Sequence, residues 1–105
     1  MIVRHWRGLA KAQRADEYES HLRAETLPAL RQLAGFLGAE VLRRRADDGV
    51  EFLVITRWAS IDAIARFAGA DAEAAVVPAK VHAMMVEFDA RAKHYEMAGG
   101  PANAS

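Results

Sequence analysis

The chain has 105 residues, 14 lysines and arginines against 14 acidic residues, and no cysteine. This length suits one domain, and a formal charge of zero argues against a protein that binds nucleic acid or membranes through bulk electrostatics. The missing cysteine excludes a disulfide scaffold, a thiolate metal site and a thiol nucleophile. Without a signal-peptide apolar region or a membrane-length apolar run, we expect a cytoplasmic protein.

The first third of the chain predicts a strand and then a long helix. Residues 2–8 alternate as a strand does, and from about residue 13 to residue 33 apolar residues recur every three or four positions. Pro28 lies inside this helical pattern, and a proline costs roughly 3 kcal/mol in a helix interior. We therefore expect a kink or a new turn near Thr26.

The middle of the chain predicts a hairpin whose second strand is apolar on both sides. Residues 39–45 and 50–58 are the strands, and Asp47-Asp48-Gly49 supplies the turn. Leu53 and Ile55 point to one face, and four residues point to the other: Phe52, Val54, Thr56 and Trp58. Because a strand with one face in water alternates cleanly, we expect cover on both faces. So small a domain has few helices, which predicts a homodimer joined through the sheet face.

The last part of the chain completes an α+β pattern. A helix begins after its N-cap Ser60 and ends before Gly69. Residues 71–77 predict a short helical piece ended by Pro78, residues 79–86 a helix or the start of a strand, and residues 89–97 the last strand. The order predicts one ferredoxin-like βαββαβ domain over residues 1–98, with a four-stranded antiparallel sheet and helices on one face. Residues 99–105 have the composition of a disordered tail.

Five stretches along residues 1–97 together resemble one known family. They are the opening IVRHWRG, the loop AGFLGAEVLRR, the junction RWASIDAIARFAG, the region of Pro78 and the closing FDARAKHYEM. The chain resembles the antibiotic biosynthesis monooxygenase-like domains of the dimeric α/β-barrel superfamily. This resemblance implies a homodimer whose sheets meet face to face, with a pocket in each protomer between sheet and helices.

The resemblance also implies an activity, the oxygenation of aromatic or polycyclic substrates without metal or flavin. Trp58 matches the family's junction tryptophan. Relatives of that kind tend to have an asparagine four residues earlier and a tyrosine six residues later, where this chain has Val54 and Ile64. A cofactor-independent monooxygenase is therefore one interpretation, and a non-catalytic dimeric ligand-binding or stress-related module is an alternative.

Haem-degrading relatives imply a third interpretation, a haem-binding protein. Their asparagine, tryptophan and histidine fall at His5, Phe67 and Val77 here, so haem cleavage by that route is not expected. Haem binding alone would need an axial histidine such as His82 or His21.

His5 is the candidate catalytic base. Strands 1 and 3 should be neighbours, which would bring His5 to the pocket. A neutral imidazole there accepts a proton from a phenolic or anthrone-like substrate, and the resulting carbanion reduces dioxygen directly. The alternative is a histidine satisfied by ordinary hydrogen bonds.

An aromatic set completes the candidate site. Trp58 would stack on a flat ligand, although it would serve equally as a core residue packed on Ile61, Ile64 and Phe67. The substrate-binding candidates are Trp58, Phe67, His82, Tyr95 and Tyr18. The four histidines show no metal-binding spacing, so neither a metal nor another cofactor is expected.

Overall fold

Five antiparallel strands form one sheet in the computed structural model, which describes residues 1–100. The strands are β1 (Ile2–Ala10), β2 (Phe36–Ala46), β3 (Gly49–Trp58), β4 (Met85–Phe88) and β5 (Lys93–Glu96). The helices are α1 (Ala15–His21), α2 (Leu27–Arg31), α3 (Ile61–Ala68) and α4 (Ala79–His82); a 3-10 turn (Ala12–Arg14) precedes α1, and a π turn (Leu22–Thr26) joins α1 to α2. Residues 101–105, most of the predicted tail, lie outside the described residues.

The sheet order confirms the ferredoxin-like prediction. β3 lies between β2 and β1, and both β4 and β5 pair with the other edge of β1. The predicted single last strand at residues 89–97 is wrong, because residues 89–92 leave the ladder. Backbone bonds explain this break, since Ala92 N–H donates to Glu73 O at 2.7 Å and Ala75 N–H donates to Ala90 O at 2.9 Å. The sheet therefore has five strands rather than four.

The face of the sheet that packs against the helices, here called the inner face, holds the largest buried side chains. Phe52 and Trp58 of β3 are fully buried on it. Trp6 of β1 opposes Val54, and its indole N–H donates to Asp89 O at 2.8 Å. Gly8 makes room for this indole, because a Cβ at Gly8 would lie 2.5 Å from Trp6 Cη2.

The opposite side, here called the outer face, carries the alternate residues. His5 opposes Ile55 and Arg7 opposes Leu53 in the β1–β3 ladder. Leu42 and Tyr95 are 49% and 53% exposed. Leu53 and Ile55 are half-buried. Within residues 1–100, the helices leave this apolar face uncovered.

The kink predicted at Pro28 is confirmed and takes the form of the π turn. Leu27 N–H donates to Leu22 O, one residue further back than in an α-helix. Because the ring of Pro28 clashes with the carbonyl four residues earlier in a regular helix, the wider turn relieves the contact. The turn brings Thr26 Oγ1 to 3.3 Å from His21 Nε2.

Residues 69–78, here called the covering segment, differ from the prediction. Ser60 Oγ accepts Ala63 N–H at 3.1 Å and Gly69 has φ of 88°, so α3 begins and ends where predicted. The short helix predicted at residues 71–77 is wrong, because their backbone groups bond to other elements. The carbonyls of Ala72 and Ala74 accept hydrogen bonds from Arg4. Residues 79–86 combine both predicted forms, with α4 first and β4 beginning at Met85.

A matched pair of isoleucines on α3 tests this packing. Ile64 is fully buried, whereas Ile61 is 43% exposed on the same helix. We expect Ile64→Ala to lower the free energy of unfolding by about 2–5 kcal/mol and Ile61→Ala by about 0.5 kcal/mol or less. Urea denaturation followed by circular dichroism measures both values. Equal losses would contradict the packing of α3 against the sheet.

Candidate functional site

A cavity of about 60 Å³ lies between the inner face, the π turn and the covering segment. Its wall is mostly apolar and includes Trp6, Leu22, Leu30, Val54, Phe67 and Val81. Val76, Val77 and Pro78 close it on the side of the covering segment. Five polar side chains enter this wall: Arg4, Tyr18, His21, Thr26 and Thr56. An apolar hollow with a few convergent polar groups has the character of a small-molecule site.

His21 is the polar group of the cavity with the most unusual surroundings. Its side chain is 8% exposed, and Nε2 lies 3.3 Å from Thr26 Oγ1. Nδ1 lies 3.4 Å from Glu25 Oε2 but makes no hydrogen bond within residues 1–100. Because buried polar atoms are usually satisfied, this ring nitrogen, with the Glu25 carboxylate as its nearest polar neighbour, is a candidate for proton transfer beside the cavity.

Tyr18 lies beside His21 and stays a neutral phenol. The two rings are stacked, with centroids 6.2 Å apart and planes 23° apart. The other side of Tyr18 meets Phe52 edge-on at 4.9 Å. Burial raises the pKa of Tyr18, because the phenolate would lose its hydration. Tyr18 therefore offers the cavity a hydrogen-bond donor across the neutral pH range.

Arg4 places a positive charge in the cavity wall. It extends from the inner face of β1 and is 4% exposed. Its guanidinium donates to the carbonyls of Ala72 and Ala74, the latter at 2.8 Å, and stands 5.7 Å from the ring of Phe67. Burial lowers the pKa of Arg4, and the field of Glu73 partly opposes that effect. Within residues 1–100, Arg4 forms no ion pair with a carboxylate.

His94 completes the surroundings of Arg4 from β5. Its Nε2 lies 2.9 Å from Arg4 Nη1, where the neutral ring acts as an acceptor. Burial lowers the pKa of His94, and the charge of Arg4 lowers it further. Protonation would remove the acceptor and place two positive charges side by side.

The structure places only two of the predicted site residues in the cavity wall. Tyr18 and Phe67 line it. The predicted position of His5 in the pocket is wrong: in the strand ladder His5 opposes Ile55, and successive residues of a strand point to opposite faces. His5 therefore lies on the outer face. Its catalytic role stays a prediction that requires access from that side.

The other three predicted residues lie elsewhere. Trp58 is fully buried between Phe36 and Phe67, with its indole N–H donating to Thr56 Oγ1 at 2.8 Å. It supports the wall from behind Phe67, in agreement with the core interpretation. His82 is exposed, with Nε2 3.2 Å from Val77 O, and Tyr95 is on the outer face.

The sequence interpretation missed Arg4 and Thr26 as site residues, and it named His21 only as a candidate axial ligand of haem. A charged residue between Ile2 and Trp6 on a buried strand face was one available signal. A histidine three residues after Tyr18 on the same helix was another. Neither signal reveals the contact of His21 with Thr26, which depends on the π turn. Among residues 1–100, no group of three metal-binding side chains comes together.

Comparison with known proteins now adds to this geometry. A ferredoxin-like sheet with a cavity between sheet and helices defines the class of fold. The family model for antibiotic biosynthesis monooxygenase matches residues 1–79, and the chain belongs to this family. The match ends at the start of α4, before the FDARAKHYEM stretch. A comparison with curated proteins gave no match.

Three solved structures share the fold. A candidate antibiotic biosynthesis monooxygenase from Deinococcus radiodurans aligns with TM-score 0.70 and 21% identity over 98% of this chain and 97% of its own. A candidate antibiotic biosynthesis monooxygenase from Bacillus cereus aligns with TM-score 0.65 and 16% identity, over 96% of this chain and 94% of its own. A point mutant of MhuD with two manganese protoporphyrin IX molecules bound per active site aligns with TM-score 0.69 and 20% identity. The alignment covers 97% of this chain and 99% of the MhuD chain. At these identities the likeness shows the fold alone.

A pH-dependent loss of stability follows from His94. Its pKa in the folded protein lies below the ordinary 6.5, so the unfolded chain binds the proton more readily. Stability should be full above that ordinary value and decline as the pH falls below it. We expect His94→Gln, which keeps an acceptor for Arg4 without titrating, to lose less stability between pH 7.5 and pH 5 than the parent protein.

Urea denaturation at the two pH values measures this difference. His82→Gln is the control, because His82 is exposed and lies on α4, outside the strand ladder that holds Arg4 and His94. A parent-like pH dependence in His94→Gln would remove His94 as its source.

Proposed function

We propose that the chain is a small-molecule oxygenase that acts on a hydroxyaromatic compound without a metal or organic cofactor. The observation that carries this proposal is the apolar cavity into which His21, Tyr18 and Arg4 converge. Membership in the monooxygenase family supports it. A non-catalytic module that only binds the same ligand is the alternative outcome of the test below.

The reaction balances with dioxygen as the only co-reactant. A base removes a proton from the dihydroxyaromatic substrate, and the anion passes one electron to dioxygen. The substrate radical and superoxide then form one carbon–oxygen bond. Loss of water breaks the oxygen–oxygen bond, so that one oxygen atom stays on the ring and the other leaves with two substrate hydrogens. The protein supplies proton transfer, orientation and exclusion of water.

His21 is the base that the cavity offers. Its Nδ1 lies 3.4 Å from Glu25 Oε2 and makes no hydrogen bond within residues 1–100, and Thr26 Oγ1 lies 3.3 Å from Nε2 on the other side of the ring. The imidazole would accept the proton of the substrate, and Tyr18 beside it would donate a hydrogen bond to the substrate oxygen. Arg4 completes the site with a positive charge.

The size of the cavity favours a single ring over a polycyclic substrate. Small-molecule sites usually measure about 300–1,000 Å³. The cavity has about 60 Å³, which is small by that comparison. A single ring would need the smallest outward movement of the covering segment, and each further fused ring would need a larger one. Arg4 and the backbone of Ala90 and Ala92 hold this segment by hydrogen bonds, which a large movement would break.

Oxygen consumption with a panel of mono- and dihydroxybenzenes, in metal-free buffer, tests the proposal. We expect His21→Gln to reduce kcat by about 10²–10⁴, as removal of a general base does, while His82→Gln stays near the parent value. If His5→Ala abolishes oxygen consumption while the protein stays folded, the result would instead support His5 as the base. If the parent protein binds these compounds but consumes no oxygen, the interpretation as a non-catalytic binding module would remain.

We also propose that the protein is a homodimer joined through the outer face. Members of this family are typically dimeric. Leu42, Leu53 and Ile55 form an apolar centre on this face, and exposed apolar patches of this kind mark interfaces. Around it lie ion pairs such as Arg7–Glu51 at 2.5 Å and Arg44–Glu51 at 2.7 Å, which suit a polar rim. A cytoplasmic location remains a prediction.

An aspartate at the centre of the outer face should break this dimer. We expect Leu42→Asp to convert a dimer into a monomer at micromolar concentration, because a buried unpaired carboxylate is costly. Ile61→Asp is the matched control, since Ile61 is similarly exposed but lies on α3. Sedimentation velocity measures both. A dimer that survives Leu42→Asp would have to form through another surface.

Haem binding receives no support from the geometry of this chain. The cavity of about 60 Å³ is far smaller than a porphyrin. Of the two candidate axial histidines, His21 is buried at the end of α1 and His82 is exposed beside Val77. The porphyrin belongs to the distant neighbour in which it was found.

A further inference from the structure

Arg4 carries unused hydrogen-bonding capacity into the cavity. A guanidinium has five N–H groups. Three of them point to Ala72 O, Ala74 O and His94 Nε2. The Nε–H and the second Nη2–H have no acceptor within residues 1–100. Arg4 is nonetheless buried, with only 4% of its surface exposed. Two unfilled donors on a buried cation leave room for a further acceptor.

The charges around Arg4 do not neutralise it. Glu73 raises the pKa of Arg4 only through its field, and its carboxylate lies 3.6 Å from Arg91 instead. His94 is a neutral acceptor. His21 and Tyr18, on the helical side of the cavity, supply no negative charge to Arg4 either. A buried charge is normally paired, because removing it from water is expensive. An anionic ligand beside Arg4 would supply this pairing.

We propose that the cavity binds a single-ring aromatic anion, with its oxyanion on the free N–H groups of Arg4 and its ring among the apolar wall residues. This inference rests on the proposed function for its setting and names the charge state of the ligand. A carboxylate and a phenolate share the oxyanion that Arg4 recognises. Phe67, 5.7 Å from the guanidinium, provides the nearby surface for the ring.

For a phenol, the same arrangement divides the ionisation between two residues. The proton passes to Nδ1 of His21, and the negative oxygen is held by Arg4. No other atom is transferred in this step. Arg4 would act as a binding residue that selects the ionised form, which is the form able to reduce dioxygen.

Benzoate and benzamide, which have nearly the same shape, test this inference by isothermal titration calorimetry at constant ionic strength. We expect the parent protein to bind benzoate about tenfold or more tightly than benzamide, as one charge-assisted hydrogen bond allows. Arg4→Met should abolish this preference and leave benzamide binding intact. Arg31→Met is the matched control, because Arg31 is exposed on α2 and lies outside the cavity wall.

Arg4 also holds the covering segment, and the outcomes separate that role from ligand recognition. Equal affinities for both compounds in the parent protein would overturn the inference. So would an Arg4→Met protein that is folded by circular dichroism and loses both ligands equally. The Arg4 Nε–H signal in a nitrogen–proton NMR spectrum gives a readout without any variant. It should shift with benzoate and not with benzamide, and an unmoved signal would overturn the inference.

The oxygenase proposal can fail separately. A preference for benzoate together with no oxygen consumption on any hydroxybenzene would keep the anion site and remove the oxygenase. Oxygen consumption without that preference would keep the oxygenase and remove the anion site.

Discussion

The packing of one sheet face against the helices is the constraint on which the rest of this molecule depends. Phe52 and Trp58 pack under the helices, and each leaves no exposed surface. Because side chains alternate along β1 and β3, this packing also decides what points the other way. The same alternation that buries Arg4 and Trp6 places His5 on the outer face. The cavity, its charge and the proposed dimer surface are thus consequences of one strand register.

The cavity in turn depends on two departures from regular structure. The π turn exists because Pro28 cannot fit a regular helix, and it brings Thr26 to His21. The covering segment stays irregular because the carbonyls of Ala72 and Ala74 accept from Arg4. Near β5, the Glu73 carbonyl accepts from Ala92 and the Ala75 amide donates to Ala90. Both departures place polar groups at an otherwise apolar wall. Irregular backbone of this kind is frequent at functional sites, which agrees with a site at this position.

Arg4 has both a structural role and a proposed role in ligand binding. Its bonds to Ala72 and Ala74 hold the covering segment over the cavity, and Arg4 itself lines that cavity. A ligand that engages Arg4 would therefore bind next to the residue that holds the segment in place. The neutral state of His94 keeps Arg4 in position without adding a competing charge.

The sequence by itself determined the order of strands and helices, the cap at Ser60, the kink at Pro28 and the apolar character of both faces of β3, since these follow from local spacing and residue type. It also indicated the family through stretches that the family model matches over residues 1–79. Only the tertiary structure decided which histidine lines the cavity. The strand register directs His5 to the outer face, and the π turn brings Thr26 to His21, which sequence spacing does not reveal. The tertiary structure alone divided the last strand in two and kept residues 71–77 from forming a helix. Those outcomes depend on hydrogen bonds between residues that are distant in sequence, such as Arg4 to Ala74 and Ala92 to Glu73, and local sequence carries no signal for them.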